Sequence, residues 1–212
     1  FYAHEAVAAE TAFKTALKAK TPDAHAAAYA WRGLGELAIK EHRDDEAIAH
    51  FKESLKARPL ADTHRSLCHL YCSQRKFKEA AEQAKLAFEL NADDPIARLL
   101  YAAQLHRAGE VAEGRKQFDQ ALAISGLKPT GESAETIHCC VYYNAAGYLG
   151  VAGLPEDALA MLRKFFGTPN HRHLTRAEIE NDADFVSLKG LPAFQKLLDA
   201  HAQNPTFSQS AK

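Results

Sequence analysis

The sequence has no long apolar stretch and almost no net charge. No run in its 212 residues approaches the roughly 20 consecutive apolar residues that a bilayer-spanning helix needs. Its 26 lysines and arginines nearly balance 27 aspartates and glutamates, so the chain lacks the basic excess typical of nucleic-acid-binding domains. We therefore predict neither membrane insertion nor nucleic-acid binding. A hydrophobic content of 47% also excludes a chain that is disordered throughout.

Cysteine is scarce, and its four positions do not form a disulfide framework. Cys68, Cys72, Cys139 and Cys140 fall within helix-like patterns, and the last two are adjacent. We interpret them as reduced, small core residues, which predicts a cytoplasmic location. Because the chain begins at Phe1 rather than at a methionine, we expect a processed or trimmed piece, and a targeting segment removed from before Phe1 is compatible with the sequence.

The local signatures of catalysis and of phosphate binding are also missing. There is no Gly-x-Ser-x-Gly elbow, no glycine-rich phosphate loop and no complete EF-hand loop, and residues 181–184 are better interpreted as a helix start than as a calcium site. His64, Cys68 and Cys72 recur at every fourth position, which suits either metal ligands or core packing, and we prefer packing. The histidines of residues 171–173 suit either a metal or solvent, and we prefer solvent. The chain is predicted to be no enzyme, with no catalytic residue, cofactor or metal.

What the sequence does contain is a set of small and aromatic residues at fixed spacing in residues 28–59. These are Trp31, Leu34, Gly35, Ala47, Phe51 and Pro59. The spacing puts one apolar stripe on each of two helices, predicted over residues 24–40 and 44–57. Gly35 leaves room for the partner helix to approach, and Pro59 ends the second helix because it has no amide hydrogen to donate.

This spacing resembles that of a tetratricopeptide repeat (TPR), a helix–turn–helix unit of about 34 residues. We identify an array over residues 24–166, preceded by an N-terminal helix or half-repeat at 1–23. The predicted repeats are 28–60, 61–94, 95–128 and 139–166. The resemblance implies an all-α, right-handed superhelical solenoid of antiparallel helix pairs without strands.

The third predicted repeat contains one departure from the pattern. Gly114 stands where the second helix of a TPR has alanine. Glycine inside a helix costs about 1 kcal/mol relative to alanine. This repeat is therefore predicted to be the softest of the four.

Residues 167–203 change pattern and resemble the closing segment that follows TPR arrays in bacterial proteins, with an Asp-x-Asp-Phe sequence at residues 182–185. The last repeat of a solenoid exposes an apolar face, so we predict that this segment is a cap. Four side chains are expected to pack on the fourth repeat: Phe185, Leu188, Phe194 and Leu197. Residues 204–212 are predicted to be a flexible tail.

In TPR proteins the first helix of each pair lines a concave surface, so the resemblance implies a peptide-binding groove. The predicted groove residues are Tyr29, Arg32, Glu36, Ile39, Lys40, Arg65, His69, Ser73, Leu99, His106, Arg107, Tyr143 and Asn144. This set is basic at several points, with tyrosine and leucine between. Glu36 stands where the carboxylate clamp of chaperone-binding TPR domains has asparagine, so we do not expect a chaperone tail as the ligand.

The predicted function is a non-enzymatic protein–protein interaction scaffold. Its ligand would be an extended or helical segment of a peptide or partner protein, with acidic and apolar side chains. The alternative is a regulatory or docking domain of a larger enzyme or signalling protein, and a further alternative is that the groove residues are only a solvated helix face. The sequence leaves the partner's identity and the oligomeric state open.

Overall fold

The computed structural model describes residues 2–18, 23–125, 132–168 and 174–202. All regular structure in these ranges is helical, with no strand among them, which confirms the all-α class. Within the same ranges, no helix has the length and apolar character that crossing a bilayer requires. The predicted histidine loop at 171–173 and the tail at 204–212 lie outside the described residues.

The chain divides into two compact units, Phe1–Asn91 and Ala92–Lys212, called unit 1 and unit 2 here. Unit 1 contains α1 Tyr2–Leu17, α2 Ala24–Lys40, α3 Asp44–Ala57, α4 Ala61–Ser73 and α5 Phe77–Glu89. Unit 2 contains α6 Pro95–Arg107, α7 Val111–Ser125, α8 Glu132–Val151, α9 Pro155–Gly167, α10 Arg176–Asn181, the 3-10 helix η1 Ala183–Leu188 and α11 Pro192–Ala202.

Consecutive helices pair through short turns, and their ends follow from local sequence. The bounds of α2 and α3 are those predicted. At the start of α6, the side chain of Asp94 accepts a hydrogen bond of 2.9 Å from the amide of Ile96, and Pro95 occupies the first helical turn, as expected for an Asp cap followed by proline.

Each of the four helix pairs turns through one residue with a positive φ angle. Glycine occupies this position twice in unit 2, at Gly109 and Gly153. In unit 1 the same role falls to His42 and Arg75, with φ angles of 57° and 59°. A residue with a Cβ is uncommon in this conformation, so the turn geometry is imposed by helix packing as well as by residue choice.

In unit 1, two glycines on α2 allow close helix approach on either side. A Cβ added to Gly33 would lie 2.3 Å from the Phe13 ring of α1, and one added to Gly35 would lie 2.6 Å from the Phe51 ring of α3. Phe51 is fully buried in a cluster with alanine and leucine side chains of α2, α3 and α4. The close approach predicted for Gly35 is therefore present.

In unit 2, the C-terminal segment is part of the hydrophobic core. Fully buried side chains from this segment join those of α6 to α9, and they are Ile179, Phe185, Leu188, Phe194 and Leu198. Three of the four predicted cap contacts are thus fully buried. The fourth, Leu197, is only partly buried, because Leu198 lies one helical turn beyond Phe194 and takes the inward position on α11.

Gly114 lies where α7 crosses α6. A Cβ added there would lie 2.9 Å from the carbonyl oxygen of Ala102 and 3.2 Å from the amide nitrogen of His106. Both are backbone atoms of α6, so neither can move aside as a side chain could. The glycine that the sequence marked as a weakness is therefore the residue that lets the two helices meet.

We expect Gly114→Ala to lower the free energy of unfolding by about 1–3 kcal/mol, because the added methyl group overpacks the helix contact. This holds although alanine is the better helix former by about 1 kcal/mol. Urea unfolding followed by circular dichroism measures the change. Gly167→Ala is the matched control, since a Cβ added to this helical glycine meets no atom within 4 Å apart from those of its chain neighbours and its own helix backbone. A Gly114→Ala protein at least as stable as wild type would contradict the close-approach argument.

Candidate peptide-binding surfaces

An exposed tyrosine marks the predicted surface of unit 1. Tyr29 is 43% exposed on α2. The ring of His25 lies 4.7 Å from its ring, between centroids, and the guanidinium carbon of Arg32 lies 6.0 Å from its centroid. These residues are one helical turn apart on the same face of α2. The result is an aromatic surface in contact with a cation and open to solvent.

Ion pairs join this part of α2 to α4. Arg32 contacts Glu36 at 2.8 Å and Asp62 at 3.4 Å, and Asp62 also contacts Arg65 at 2.5 Å. Asp62 was not among the predicted groove residues, although its place three residues before Arg65 predicts a helical ion pair. Because the two arginines share an acidic partner, this surface is less basic than the sequence suggested.

The other predicted groove residues of unit 1 are less distinctive. Ile39 is partly buried against the unit 1 core, whereas Lys40 is exposed. On α4, His69 and Ser73 are exposed, and the Ser73 hydroxyl donates to the carbonyl of Leu70 at 2.8 Å.

The structure describes two stretches for which the sequence suggested either a metal site or an ordinary structural role. The Nδ1 atom of His64 lies 2.8 Å from the side-chain oxygen of Gln83, and Cys68 is fully buried, which is the packing interpretation. The Asp182 carboxylate accepts from the amide of Asp184 at 2.9 Å at the start of η1, which confirms a helix start there.

In unit 2, three predicted groove residues make contacts within the unit. Leu99 is fully buried and so lines no open surface, and it belongs to a cluster that includes side chains of α7, α8 and α9. The ring of His106 meets the edge of Tyr148 with 5.9 Å between centroids. The side-chain amide of Asn144 donates to the carbonyl of Cys140, one turn earlier on α8, at 2.8 Å.

Arg107 at the end of α6 is paired with the chain's own C-terminal segment. Its guanidinium donates to the Asp184 carboxylate at 2.6 Å, and a second, longer contact of 3.4 Å joins it to the side chain of Gln104. The Arg107 side chain is 11% exposed and that of Asp184 is 26% exposed. Coulomb attraction is screened less here than between surface charges, and removal of either partner would leave a poorly solvated charge between α6 and η1.

Tyr143 on α8 is paired with the same segment. Its hydroxyl donates to the Asp182 carboxylate at 2.7 Å, and its ring contacts Phe165 and Phe185 at 5.1 and 5.2 Å between centroids. Burial, followed by the charge of Asp182 and the hydrogen bond to it, raises the pKa of Tyr143 far above its usual value. The phenol therefore stays protonated and acts as a donor to the carboxylate.

Two glycines of α8 let η1 lie directly on the helix. A Cβ added to Gly147 would lie 2.6 Å from the Asp184 carboxylate, and one added to Gly150 would lie 2.5 Å from the Asp184 carbonyl oxygen. The Ser187 hydroxyl donates to the carbonyl of Gly150 at 2.7 Å. The segment thus touches α8 backbone to backbone, a contact that any larger residue would prevent.

A cavity of about 270 Å³ lies beside this contact, between α8, α9 and α10. Tyr143 and Asn144 line it, together with the carboxylates of Glu178 and Asp182. Two carboxylates favour a cationic or neutral group over an acidic one. The cavity therefore does not suit the acidic ligand predicted for these residues.

No known family model matches the sequence, and no curated protein gives a match to it. The TPR resemblance accordingly depends on residue spacing, and the assignment of a function depends on the geometry of the two units.

Proposed function

We propose that this chain is a non-enzymatic, TPR-like interaction scaffold that binds a segment of a partner protein. Its helix pairs would stack as the right-handed solenoid implied by the repeat spacing, and the partner segment would lie across α2 and α4 of unit 1. The main support is Tyr29, a large aromatic side chain that stays 43% exposed beside Arg32, which forms an ion pair with Asp62. Tyrosine and arginine in such a setting are the residue types most enriched in binding hot spots.

The contacts of unit 1 support a ligand with a carboxylate next to an apolar side chain. Tyr29 offers its ring to the apolar group, and Arg32 and Arg65 offer guanidinium donors to the carboxylate. Their present partner, Asp62, is solvent-accessible, and exposed ion pairs of this kind contribute only about 0–1 kcal/mol. An incoming carboxylate can therefore share or replace Asp62 at little cost.

Unit 2 supports this location by elimination. Arg107 and Tyr143 already hold the carboxylates of the C-terminal segment, and Leu99 is buried. Of the predicted groove residues that could meet an acidic, apolar segment, those left with accessible rings and cations lie on α2 and α4. The proposal therefore assigns external binding to unit 1.

A selection from a random peptide display library tests the proposal without knowledge of the natural partner. We expect wild-type protein to enrich peptides that combine acidic and apolar side chains. Tyr29→Ala with Arg65→Gln should weaken their binding at least about tenfold, which corresponds to about 1.4 kcal/mol. Isothermal titration calorimetry with the enriched peptides measures the loss.

Lys56→Gln provides the matched control. Lys56 forms an exposed ion pair with Glu53 at the same three-residue spacing as Arg65 and Asp62, but on α3. Arg65 is neutralised rather than reversed in charge, because a carboxylate at position 65 would repel its partner Asp62. Enrichment without acidic residues, or binding that survives Tyr29→Ala with Arg65→Gln, would place the interaction elsewhere.

A further inference from the structure

We infer that unit 2 contains a recognition site for an Asp-x-Asp-Phe segment, and that residues 182–185 of the chain itself fill this site. The inference goes beyond the proposed function, because it concerns a different unit and a ligand that is supplied in cis. The C-terminal segment is then bound in a sequence-specific way, and it also covers apolar surface.

Side chains of two different helices bind the two carboxylates of the segment. Arg107 of α6 binds Asp184, and Tyr143 of α8 binds Asp182. The two donors are an always-charged guanidinium and a phenol that stays protonated. Because each carboxylate has its own donor, the site distinguishes an Asp-x-Asp pair from a segment with a single acid.

The aromatic residue that follows, Phe185, is recognised through its packing contacts. Phe185 is fully buried, its ring meets the Tyr143 ring edge-on, and it lies 6.1 Å from the ring of Phe194 between centroids. Tyr143 therefore contacts both the acidic and the aromatic part of the segment. A large buried aromatic group is the usual energetic anchor of a peptide site.

Gly147 and Gly150 leave space for the segment to lie directly on α8. Each leaves room for an atom of Asp184 that would otherwise meet a Cβ at 2.6 Å or less. Apolar coverage alone would not require two glycines on the face of α8 that meets η1. Together with the hydrogen bond from Ser187 to the carbonyl of Gly150, these glycines form a narrow surface on which one chain segment can lie in close contact.

The consequence is that acidic segments from outside compete with an internal one. A ligand tethered by a short chain acts at an effective concentration on the order of millimolar. Arg107 and Tyr143, which the sequence assigned to an external acidic ligand, do have the predicted ligand chemistry. The ligand is the chain's own segment.

Binding of a synthetic peptide to the full-length protein tests this inference. The probe is a fluorescein-labelled peptide with the sequence of residues 174–201, followed by fluorescence anisotropy. Wild-type protein should not bind it at concentrations up to about 0.1 mM, because the internal segment wins by effective concentration. Phe185→Ala in the full-length chain should weaken the internal contact by roughly 10²–10³-fold, so that the peptide can replace it.

Two substituted peptides distinguish sequence-specific binding from nonspecific apolar packing. The Asp184→Asn peptide should bind the Phe185→Ala protein at least about tenfold more weakly, since it loses a charge-assisted pair with Arg107. The matched control is the Asp199→Asn peptide, in which an exposed carboxylate that pairs with Arg176 is neutralised. It should bind within about twofold of the unmodified peptide.

Three results would overturn the inference: equal binding to wild-type and Phe185→Ala proteins, no binding to a Phe185→Ala protein that keeps its helical circular dichroism, or no effect of Asp184→Asn in the peptide. Should Phe185→Ala lose its helical signal, the Asp184→Ala full-length protein takes its place, and the same outcomes decide.

Discussion

Phe194→Ala is expected to lower the free energy of unfolding by about 3–5 kcal/mol, one of the largest effects of a single substitution in this chain. The Phe194 side chain is 0% exposed and belongs to the core that joins α11 to η1 and α8. Its removal costs transfer free energy and leaves a cavity that the fully buried neighbours Phe185 and Leu188 cannot fill without moving. Urea unfolding followed by far-ultraviolet circular dichroism measures the change.

Val186→Ala is the control within the same segment. Val186 is 63% exposed, so its truncation should change stability by less than about 0.5 kcal/mol. A loss below about 1 kcal/mol for Phe194→Ala would mean that the C-terminal segment does not belong to the core of unit 2, because a full aromatic truncation there costs several times more.

Arg107→Ala is expected to lower the free energy of unfolding by about 2–4 kcal/mol. Breaking a buried ion pair by removing one partner costs about 3–5 kcal/mol, and the 26% exposure of Asp184 reduces this through solvation of the remaining carboxylate. Asp184 cannot move far, because its carboxylate rests on Gly147 and its carbonyl oxygen rests on Gly150. Chemical denaturation again provides the measurement.

A double-mutant cycle isolates the pair itself. Arg107→Ala, Asp184→Ala and the double substitution should give a coupling energy of about 1–3 kcal/mol. The matched cycle on Arg115 and Asp119, an exposed pair within α7, should give less than about 0.5 kcal/mol. Equal coupling in the two cycles would show that the contact between α6 and η1 is no stronger than a surface pair.

Local spacing was sufficient to predict the helices. The bounds of α2 and α3, the Asp94 cap with Pro95, and the close approach at Gly35 all follow from residues within one or two turns of each other. Such features depend on backbone geometry and on side-chain periodicity, which a sequence displays directly. The same reasoning predicted the buried aromatic residues of the C-terminal segment.

Spacing was insufficient where two distant segments meet. It put Leu99 on a groove, whereas this side chain is fully buried in the core of unit 2, and it did not show that Gly114 lies against backbone atoms of α6. It also assigned Arg107 and Tyr143 to an external ligand. In each case the missing information is which surface lies opposite the helix, and periodicity along one helix does not carry that information.

The sequence by itself therefore determined the helical class, the helix pairs and the amphipathic C-terminal segment. Only the tertiary structure decided that Tyr143 pairs with Asp182 and Arg107 with Asp184 in unit 2. The physical reason is separation along the chain: Arg107 and Asp184 are 77 residues apart, and Tyr143 and Asp182 are 39 apart. Contacts over such distances arise from the packing of whole helices, whereas the residue type at either end shows only which hydrogen-bonding or charged groups can pair with it.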